Sequence, residues 1–405
     1  MEFDAALELV LREAAEVGRP GVERVRLPAA RGRVLAEAVV ADRDQPGFDR
    51  ATRDGFAVRA ADVGAAMRIV GQVRAGERWT GAAVERGEAI EIMTGAPLPA
   101  GADAVVMVEH VTVSGEGLEL AEGRGLRAGE NVVPRGAEAR AGEAVLADRT
   151  VMGAAEIALA AACGAAEVEV YRRARVAIVA TGDELVELDV QPEAWQIRNS
   201  NSYGLAALVE AAGGEAERLP IARDTRDDLR AALAEARRCD LVLLSGGVSM
   251  GKYDLVEEVR GEVGAEFLFT GVRMQPGKPV VFGRFPALAA DASARYFFGL
   301  PGNPVSTQVT FHCFVEPMLR AMCGEVAEGP RFVSAALAEE VAGKAGLMRL
   351  LPARLDAARV RPRVRLVGWQ GSGDLAANAR ANCYVVLPGD VEGFRAGDVV
   401  SVLLR

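Results

Sequence analysis

The sequence predicts a multidomain protein that combines an α/β domain, built on a parallel-type sheet, with several β-rich segments. The 405 residues are enough for two to four domains, and half of them are apolar. Between about 174 and 322, apolar strand-like runs alternate with helix-like runs, a pattern typical of a parallel, doubly wound sheet. On both sides of that region, short runs rich in Gly, Pro and β-branched residues predict β structure with many turns.

The segment before the α/β region is predicted to begin with a helix and to be mostly extended thereafter. Residues 4–17 carry apolar side chains at helical spacing, namely Ala5, Leu7, Leu9, Val10 and Ala14. Residues 24–40 are predicted to be extended, and 41–141 to be mostly β. An Ala-rich helix over 153–163 is predicted between two strand-like pieces of 142–171.

Within the α/β region each run has the signals of one element. ARVAIVATGDEL predicts a buried strand that ends in a polar loop, and NSNSYGLAALVEAAGG predicts a helix with polar caps and terminal glycines. TRDDLRAALAEARR has acids early and arginines late, which matches the helix dipole. CDLVLLSGGVSMG predicts a strand with a Gly-rich loop, and YDLVEEVRGEVG and STQVTFHCFVEPMLRAM predict helices. From about 324 onwards, short strands and turns predict a small β domain.

Composition and charge argue against several classes of protein. The formal net charge is −10, so phosphate backbones repel the chain, and neither nucleic acid nor an anionic membrane is an expected partner. The five cysteines are scattered without a C-x-x-C spacing, which predicts free thiols in a reducing compartment. The start of the chain lacks the pattern of a signal peptide, and no apolar run is long enough to span a bilayer, so a cytoplasmic location is expected.

Three loops of the α/β region are candidate ligand-binding segments. In an open α/β sheet, ligands bind beyond the carboxyl ends of the strands, and adjacent glycines let backbone N–H groups approach an anion. The loops supply the candidate substrate-binding residues Thr181, Gly182, Ser245, Gly246, Gly247, Ser249, Pro301, Gly302, Asn303 and Ser306. The alternative interpretation of each single loop is an ordinary turn between two elements.

Three carboxylates could serve a divalent cation near these loops. Asp254 follows the second loop by five residues, and a carboxylate beside a phosphate-binding loop commonly holds Mg²⁺. Glu184 and Asp224 could face the same site from neighbouring strand ends. The alternative for each is a helix N-cap or a solvated surface acid.

Four further residues are candidates with a competing structural explanation. Lys278 lies in Pro-Gly-Lys-Pro, where the flanking prolines stiffen the loop, and a lysine is a compact charge suited to an oxyanion. Asp54 in RATRDGFAV and Thr94 in IMTGAPLP also carry ordinary turn signatures. Ser372 lies in a small polar loop after a strand. The two histidines are predicted to be structural, with His312 making a core hydrogen bond.

Several motifs taken together resemble the molybdopterin molybdenumtransferase family, the molybdenum insertases related to the E domain of gephyrin. The resembling segments occur in the family's order and span nearly the whole chain: PGFDRATRDGFAVRAAD, IMTGAPLPAGADAVVMVE, VAIVATGDEL, QIRNSN, LVLLSGGVSMGKYD, MQPGKPVVFG and FGLPGNPVS. Several motifs in register are far more specific than any one of them.

The resemblance implies an elongated homodimer of four-domain subunits. It implies a three-layer α/β molybdopterin-binding domain (1–20 with 172–322), a linker domain (21–40 with 142–171), a β-rich domain (41–141) and a small β-barrel-like C-terminal domain (323–405). It also implies that adenylyl-molybdopterin and molybdate give molybdenum cofactor and AMP with Mg²⁺ as the cofactor. Contacts with molybdopterin adenylyltransferase and molybdopterin synthase are expected as well.

The resemblance also assigns roles to residues at an active site shared across the dimer interface. The Ser245–Ser249 loop would hold phosphates, and Glu184 and Asp254 would bind Mg²⁺. Lys278, Ser306 and Ser372 would line the molybdate pocket. Family acidic positions near the site match Asp54 and Asp224, and Asp54 and Thr94 would reach the pocket of the partner chain. The implied catalytic set is Asp54, Thr94, Asp224, Asp254 and Lys278.

Two departures and two alternative functions remain open at this point. The family often has a lysine three residues before Lys278, where this chain has Gln275, and an arginine motif of the last domain is altered around Arg349 and Arg354. The affinity for molybdate, and whether molybdate is preferred over tungstate, therefore do not follow from the sequence. The alternative functions are a molybdopterin adenylyltransferase, which the length of the chain argues against, and a non-catalytic scaffold of the same fold.

Overall fold

A computed structural model of the protein describes residues 1–246, 264–286, 295–344, 346–358 and 360–405. In that part of the chain the α-helices are Phe3–Ala15, Ala154–Ala162, Ser200–Ala211, Arg226–Ala236, Pro304–Thr310, Glu316–Met322 and Leu375–Arg380. A π-helical turn, Phe311–Val315, joins two of them, and short 3₁₀ helices occupy Leu27–Ala30, Ala60–Asp62 and Val108–His110. The helix predicted from YDLVEEVRGEVG lies outside the described residues.

The α/β region folds around a six-stranded sheet. Its strands, in spatial order, are Glu215–Arg218, Arg175–Ala180, Leu241–Ser245, Arg295–Leu300, Val281–Phe285 and Glu266–Thr270. The first four are mutually parallel, which confirms the predicted α/β class. The apolar runs that predicted these strands are buried in the sheet, as expected for strands covered on both faces.

One strand of the sheet runs against the others, so the sheet is mixed rather than wholly parallel. Val281–Phe285 pairs antiparallel with both of its neighbours. The connections on either side of this strand are about ten residues long, and a parallel crossover needs a dozen or more. Hairpin-like connections are therefore the arrangement that such short links allow.

The helices of the α/β region begin where the sequence places capping residues. The Asn199 side chain accepts a hydrogen bond from the Ser202 N–H, and Thr225 does the same for Asp228. These caps fix the start of each helix just beyond the ligand-binding edge of the sheet.

The N-terminal helix packs onto the α/β region although it is far away in sequence. Phe3, Ala6, Val10 and Ala14 are buried in the same apolar cluster as the central strands of the sheet. The Phe3 ring lies 5.5 Å from that of Phe314, centroid to centroid. Of the predicted apolar positions, Val10 and Ala14 are buried and Leu7 and Leu9 pack against this cluster, whereas Ala5 is exposed.

The segment between that helix and the α/β region is rich in β structure. A mixed six-stranded sheet contains Ala104–Met107, Gly55–Val58, Glu88–Ile92, Met67–Val73, Gly117–Leu120 and Val111–Ser114 in spatial order. Two-stranded pairs join Val22–Arg26 to Glu167–Tyr171, Val39–Val40 to Ala144–Leu146, and Arg50–Ala51 to Val132–Val133. Residues 24–40 are less extended than predicted, because a 3₁₀ turn with Pro28 near its start buries Leu27 and Ala30.

The C-terminal part forms a small closed barrel. Its five strands, in order around the ring, are Met348–Asp356, Arg363–Leu366, Phe332–Leu337, Val399–Leu404 and Cys383–Leu387. The ring closes because Cys383–Leu387 also pairs with Met348–Asp356. A two-residue strand from the α/β region, Met274–Gln275, adds to the barrel's edge, and Val341–Ala342 pairs with Gly393–Phe394.

Several further expectations can be compared with the structure. All five cysteines are free and buried, which confirms the predicted thiols. His312 is buried and its Nδ1 lies 2.8 Å from Glu316 Oε2, which confirms a core hydrogen bond. Among the described residues no helix is both long enough and apolar enough to cross a bilayer.

Candidate active site

A cavity of about 800 Å³ opens at the carboxyl ends of the parallel strands. Segments that are far apart in the sequence build its wall. The lining residues are Thr181, Gly182, Glu184, Leu185, Ile197, Arg198, Asn199, Ser200, Asn201, Asp224, Ser245, Gly246, Pro279, Pro301, Gly302, Asn303, Pro304, Gly373 and Leu375. The cavity thus brings together residues of all three predicted loops, together with Asp224. We call it the strand-end pocket.

Glycine is required where two of the loops approach each other. Gly246 has a φ of +96°, and a Cβ added to it would lie 2.6 Å from the Thr181 carbonyl oxygen. The Thr181 N–H in turn donates to the Ser245 carbonyl oxygen. The first two loops are therefore in direct backbone contact, which only a residue without a side chain permits.

Asn201 ties the second and third loops together from the start of a helix. Its Nδ2 donates to Ser245 Oγ at 3.1 Å and to the Gly302 carbonyl oxygen at 2.7 Å. The same helix is capped by Asn199, so the chain arrives at the pocket in a fixed direction. One amide group thereby holds two walls of the strand-end pocket at a set distance.

The acidic side of the pocket is electrostatically strained. Burial, followed by the negative charges of Asp183 and Glu184, raises the pKa of Asp224 above its ordinary value. The Asp224 N–H also donates to Asp183 Oδ1 at 3.4 Å. The negative charges of Asp183 and Glu184 near Asp224 would favour a cation at this place.

In the described part of the chain, no three His, Cys, Asp or Glu side chains come together as a metal-binding group. A resident cation held by protein ligands alone is therefore not built from these residues. Mg²⁺ usually takes one or two carboxylates and completes its shell with phosphate and water oxygens. Glu184 and Asp224 satisfy that smaller requirement because both line the strand-end pocket.

Two lining side chains are buried without a protein partner for one polar atom. Thr181 is 4% exposed and Asn199 is 2% exposed. Neither Thr181 Oγ1 nor Asn199 Nδ2 has a hydrogen-bond partner among the described residues. Buried donors of this kind are costly when left unpaired, so this wall of the pocket is suited to a polar occupant.

The predicted oxyanion residues lie beside the strand-end pocket rather than in its wall. Lys278 is exposed, and the lining residue next to it is Pro279. Ser306 is buried in the helix that follows the third loop. Ser372 is half-buried, and its carbonyl oxygen accepts a hydrogen bond from the Val305 N–H at 3.0 Å. That contact brings the loop of the C-terminal barrel against the third loop.

Asp54 and Thr94 form a pair of their own in the N-terminal β-rich segment. Asp54 Oδ1 accepts hydrogen bonds from the Thr94 N–H at 2.6 Å and from the Thr94 hydroxyl at 2.8 Å. These two bonds, with the backbone donor first, lower the pKa of Asp54. Both residues are exposed and neither lines the strand-end pocket of its own chain.

Gly247, Ser249 and Asp254, three of the predicted site residues, lie outside the described residues. The remaining predicted loop residues that line the pocket are Thr181, Gly182, Glu184, Ser245, Gly246, Pro301, Gly302 and Asn303.

The sequence analysis gave no ligand-binding role to Arg198, Asn199 or Asn201, although all three line the strand-end pocket. Their signal was the QIRNSN segment, which precedes a helix and offers two asparagines at its start. Gln275 and Arg349, the two positions noted as departures from the family, are register partners on paired strands, and the sequence did not reveal that pairing. Gln275 Oε1 and Arg349 Nε are both buried without a partner among the described residues.

Comparison with known families covers almost the whole chain. The family model described as "MoeA N-terminal region (domain I and II)" matches residues 1–164. The model described as "Probable molybdopterin binding domain" matches 177–321, and "MoeA C-terminal region (domain IV)" matches 334–404.

Curated relatives and solved structures agree with these matches. The chain is 35% identical over 395 residues to a molybdopterin molybdenumtransferase of Staphylococcus aureus, covering 94% of this chain and 90% of the relative. It is 32% identical over 410 residues to that of Staphylococcus epidermidis, covering 98% and 94%. The crystal structure of the molybdopterin biosynthesis moeA protein from Pyrococcus horikoshii OT3 superposes with a TM-score of 0.81 at 30% identity, covering both chains completely.

Proposed function

The chain belongs to the molybdopterin molybdenumtransferase family, and we propose that its strand-end pocket is where molybdenum is inserted into molybdopterin. The protein is a transferase of molybdenum cofactor biosynthesis. The proposed reaction takes adenylyl-molybdopterin and molybdate as substrates, and it releases AMP with the finished cofactor.

One observation carries the choice of site. Three loops, at Thr181, Ser245 and Pro301, meet at one edge of the sheet although they are far apart in the sequence, and Asn201 bonds two of them directly. A nucleotide-linked substrate has phosphates that suit backbone N–H groups and a polar ring system that suits side-chain amides. The pocket offers both, together with buried donors at Thr181 and Asn199 that have no partner among the described residues.

The proposed role of the pocket is to hold and orient two anionic reactants. Molybdate and the dithiolene of molybdopterin repel each other, so donors and cations must offset their charge as they approach. Lys278 would supply a mobile positive charge from the rim, since its side chain is exposed beside Pro279. Asn201 would keep the wall formed by Ser245 and Gly302 in place before the substrate arrives.

The carboxylate oxygens on the acidic side of the pocket are ligands of the kind that Mg²⁺ prefers. Burial and, after it, the negative charges of Asp183 and Glu184 raise the pKa of Asp224, and a divalent cation would offset those charges. We propose that Glu184 holds the ion together with Asp254 and with oxygens of the substrate. When bound, Mg²⁺ would neutralise phosphate charge and polarise the pyrophosphate bond that is cleaved.

A homodimer with a shared site is the second part of the proposal. Asp54 and Thr94 are exposed and lie outside the pocket of their own chain. The two hydrogen bonds from Thr94 hold the Asp54 carboxylate in place on an accessible surface. The carboxylate would therefore be able to enter the strand-end pocket of a second copy of the chain. Mixed dimers of Asp54→Ala and Asp254→Ala chains test this point. About half the sites of the mixed dimers should be intact, whereas no recovery of activity would contradict sharing.

The two alternative functions are less well supported. The molybdenumtransferase relatives match 94% to 98% of the chain, including the parts before and after the α/β region. An adenylyltransferase would not need those parts. A non-catalytic scaffold would not need a buried pocket-wall donor such as Thr181 Oγ1, which has no partner in the part of the chain that the structure describes.

The test of the proposed function is a reconstituted reaction. The purified chain is incubated with adenylyl-molybdopterin, Mg²⁺ and a molybdate series, and both AMP and finished cofactor are measured. The proposal expects AMP release that depends on molybdate and matches the cofactor formed. A second incubation contains molybdopterin, ATP and Mg²⁺ without molybdate. Accumulation of adenylylated pterin there, with no molybdate-dependent AMP in the first reaction, would favour the adenylyltransferase.

A further inference from the structure

Asn378 occupies a buried position between the C-terminal barrel and the α/β region. It lies in the helix Leu375–Arg380 and is only 1% exposed. A buried amide needs a partner for each polar atom, because an unpaired one costs stability. The hydrogen bonds of Asn378 therefore identify the elements that this side chain connects.

Both ends of the Asn378 side chain are bonded, each to a different element. Nδ2 donates to Gln308 Oε1 of the helix Pro304–Thr310 at 2.8 Å. Oδ1 accepts from the hydroxyl of Tyr384, a fully buried residue of the barrel, at 2.9 Å. The Asn378 carbonyl oxygen accepts from Arg405 Nη1 at 2.7 Å. The amide thus links a barrel strand to the helix that follows the third loop of the pocket.

The helix held by Asn378 carries a wall of the strand-end pocket at its start. Gly373 and Leu375 line the pocket, and the Asp374 side chain caps the helix by accepting from the Ala377 N–H at 2.9 Å. Ser372, the residue before Gly373, accepts a hydrogen bond at its carbonyl oxygen from the Val305 N–H. A shift of this helix would therefore move the loop and the pocket wall together.

Apolar packing alone would not fix this arrangement. An apolar cluster shared by the barrel and the α/β region includes Leu350, Val386 and Leu403 of the barrel. Apolar contacts are non-directional, so they would allow one element to shift along the other. Buried directional bonds specify a register that non-directional contacts leave open. Gln308 and Tyr384 bond to different atoms of the Asn378 amide, so its helix is tied to both the pocket helix and the barrel.

We propose that Asn378 is a positioning residue, which sets the loop 370–375 against the strand-end pocket through Gln308 and thereby tunes the use of molybdate. This inference deepens the proposed function and rests on it for the identity of the substrate. The positioning itself is a statement about the fold and can be measured without any reaction.

The first measurement is hydrogen–deuterium exchange of the full chain in Asn378→Ala. We expect peptides covering 302–309 and 370–377 to exchange at least about fivefold faster than in the wild type, since losing the amide leaves buried partners unpaired. The matched control is Asn382→Ala. Asn382 lies in the same domain and makes two hydrogen bonds of similar length, but both go to Leu355 within the barrel. Equal exchange of 302–309 in the two variants would overturn the proposal.

The second measurement is the molybdate dependence of AMP release. We expect Asn378→Ala and Gln308→Ala each to raise KM for molybdate about fivefold, with a smaller change in kcat. The double variant should be no worse than either single variant, because both remove one shared contact. An unchanged KM in both single variants, with an active wild type, would refute the positioning role. A wild type without molybdate-dependent AMP release would refute the proposed function instead, and the exchange measurement would still decide the role of Asn378.

Discussion

Gly246→Ala is the substitution for which the structure gives the clearest consequence. Gly246 sits at the end of a central parallel strand with a φ of +96°, and its added Cβ would lie 2.6 Å from the carbonyl oxygen of Thr181. Ordinary van der Waals contact begins at 3.4 Å. The first and second loops would therefore have to separate by about 0.8 Å, which is the difference between those two distances.

Two separate costs follow from this geometry. The left-handed backbone costs a residue with a side chain about 1–2 kcal/mol, which corresponds to a fall in Tm on the order of 5 °C. The displacement of the loops affects the reaction, because misplacing a site by about 1 Å can cost on the order of a hundredfold in rate. We therefore expect Gly246→Ala to lose far more activity than stability.

Gly397→Ala is the matched control that separates these two costs. Gly397 has a φ of +93°, and a Cβ there would meet nothing within 4 Å. Both variants are compared by thermal unfolding and by molybdate-dependent AMP release. We expect a similar fall in Tm for the backbone cost, with a loss of about a hundredfold in kcat/KM for Gly246→Ala alone. Activities of the two variants within about twofold of each other would refute the reasoning.

Three further predictions follow from the same pocket. Asp224→Asn should raise Tm at neutral pH, because ionising a carboxyl whose pKa is raised by burial and by neighbouring carboxylates costs folding free energy. The gain should vanish as pH falls below the ordinary value of 3.8, because the acid is then protonated in both the folded and the unfolded state, and a gain that does not depend on pH would contradict this cause. Asn201→Ala should lower kcat/KM about thirtyfold, because it removes two hydrogen bonds of about 1 kcal/mol each, and AMP release at the wild-type rate would contradict its bridging role. Lys278→Ala should weaken the molybdate dependence of AMP release, because it removes a positive charge beside the pocket. The control Lys344→Ala removes another exposed lysine and should leave that dependence unchanged, so identical molybdate titrations of the two variants would count against Lys278.

The fold was predictable where local signals decide it. The apolar runs ending at Ala180, Ser245 and Leu300 became parallel central strands, and the capping residues Asn199 and Thr225 begin the helices that were predicted. The antiparallel direction of Val281–Phe285 follows from the short connections on either side of it. The pattern of apolar residues within a strand does not reveal its direction. Closure of the C-terminal barrel depends on pairing between distant strands, and no local pattern encodes that pairing.

The candidate site was predictable in its backbone and less so in its side chains. Glycines after predicted strands mark loops that meet at one sheet edge, and the strand-end pocket contains members of all three. The role of Asn201 depends on two partners more than forty residues away, and that of Asn378 depends on a neighbouring domain. Such contacts are properties of the tertiary structure, so single-sequence reasoning had no basis for choosing these residues.

A crystal structure of the protein soaked with AMP and molybdate tests the central claim most directly. The account predicts AMP in the strand-end pocket, with its phosphate near Gly246 and Gly302, and molybdate on the side of the pocket facing Lys278. Both ligands bound at another surface, with the pocket between Thr181 and Asn303 left to solvent, would contradict it.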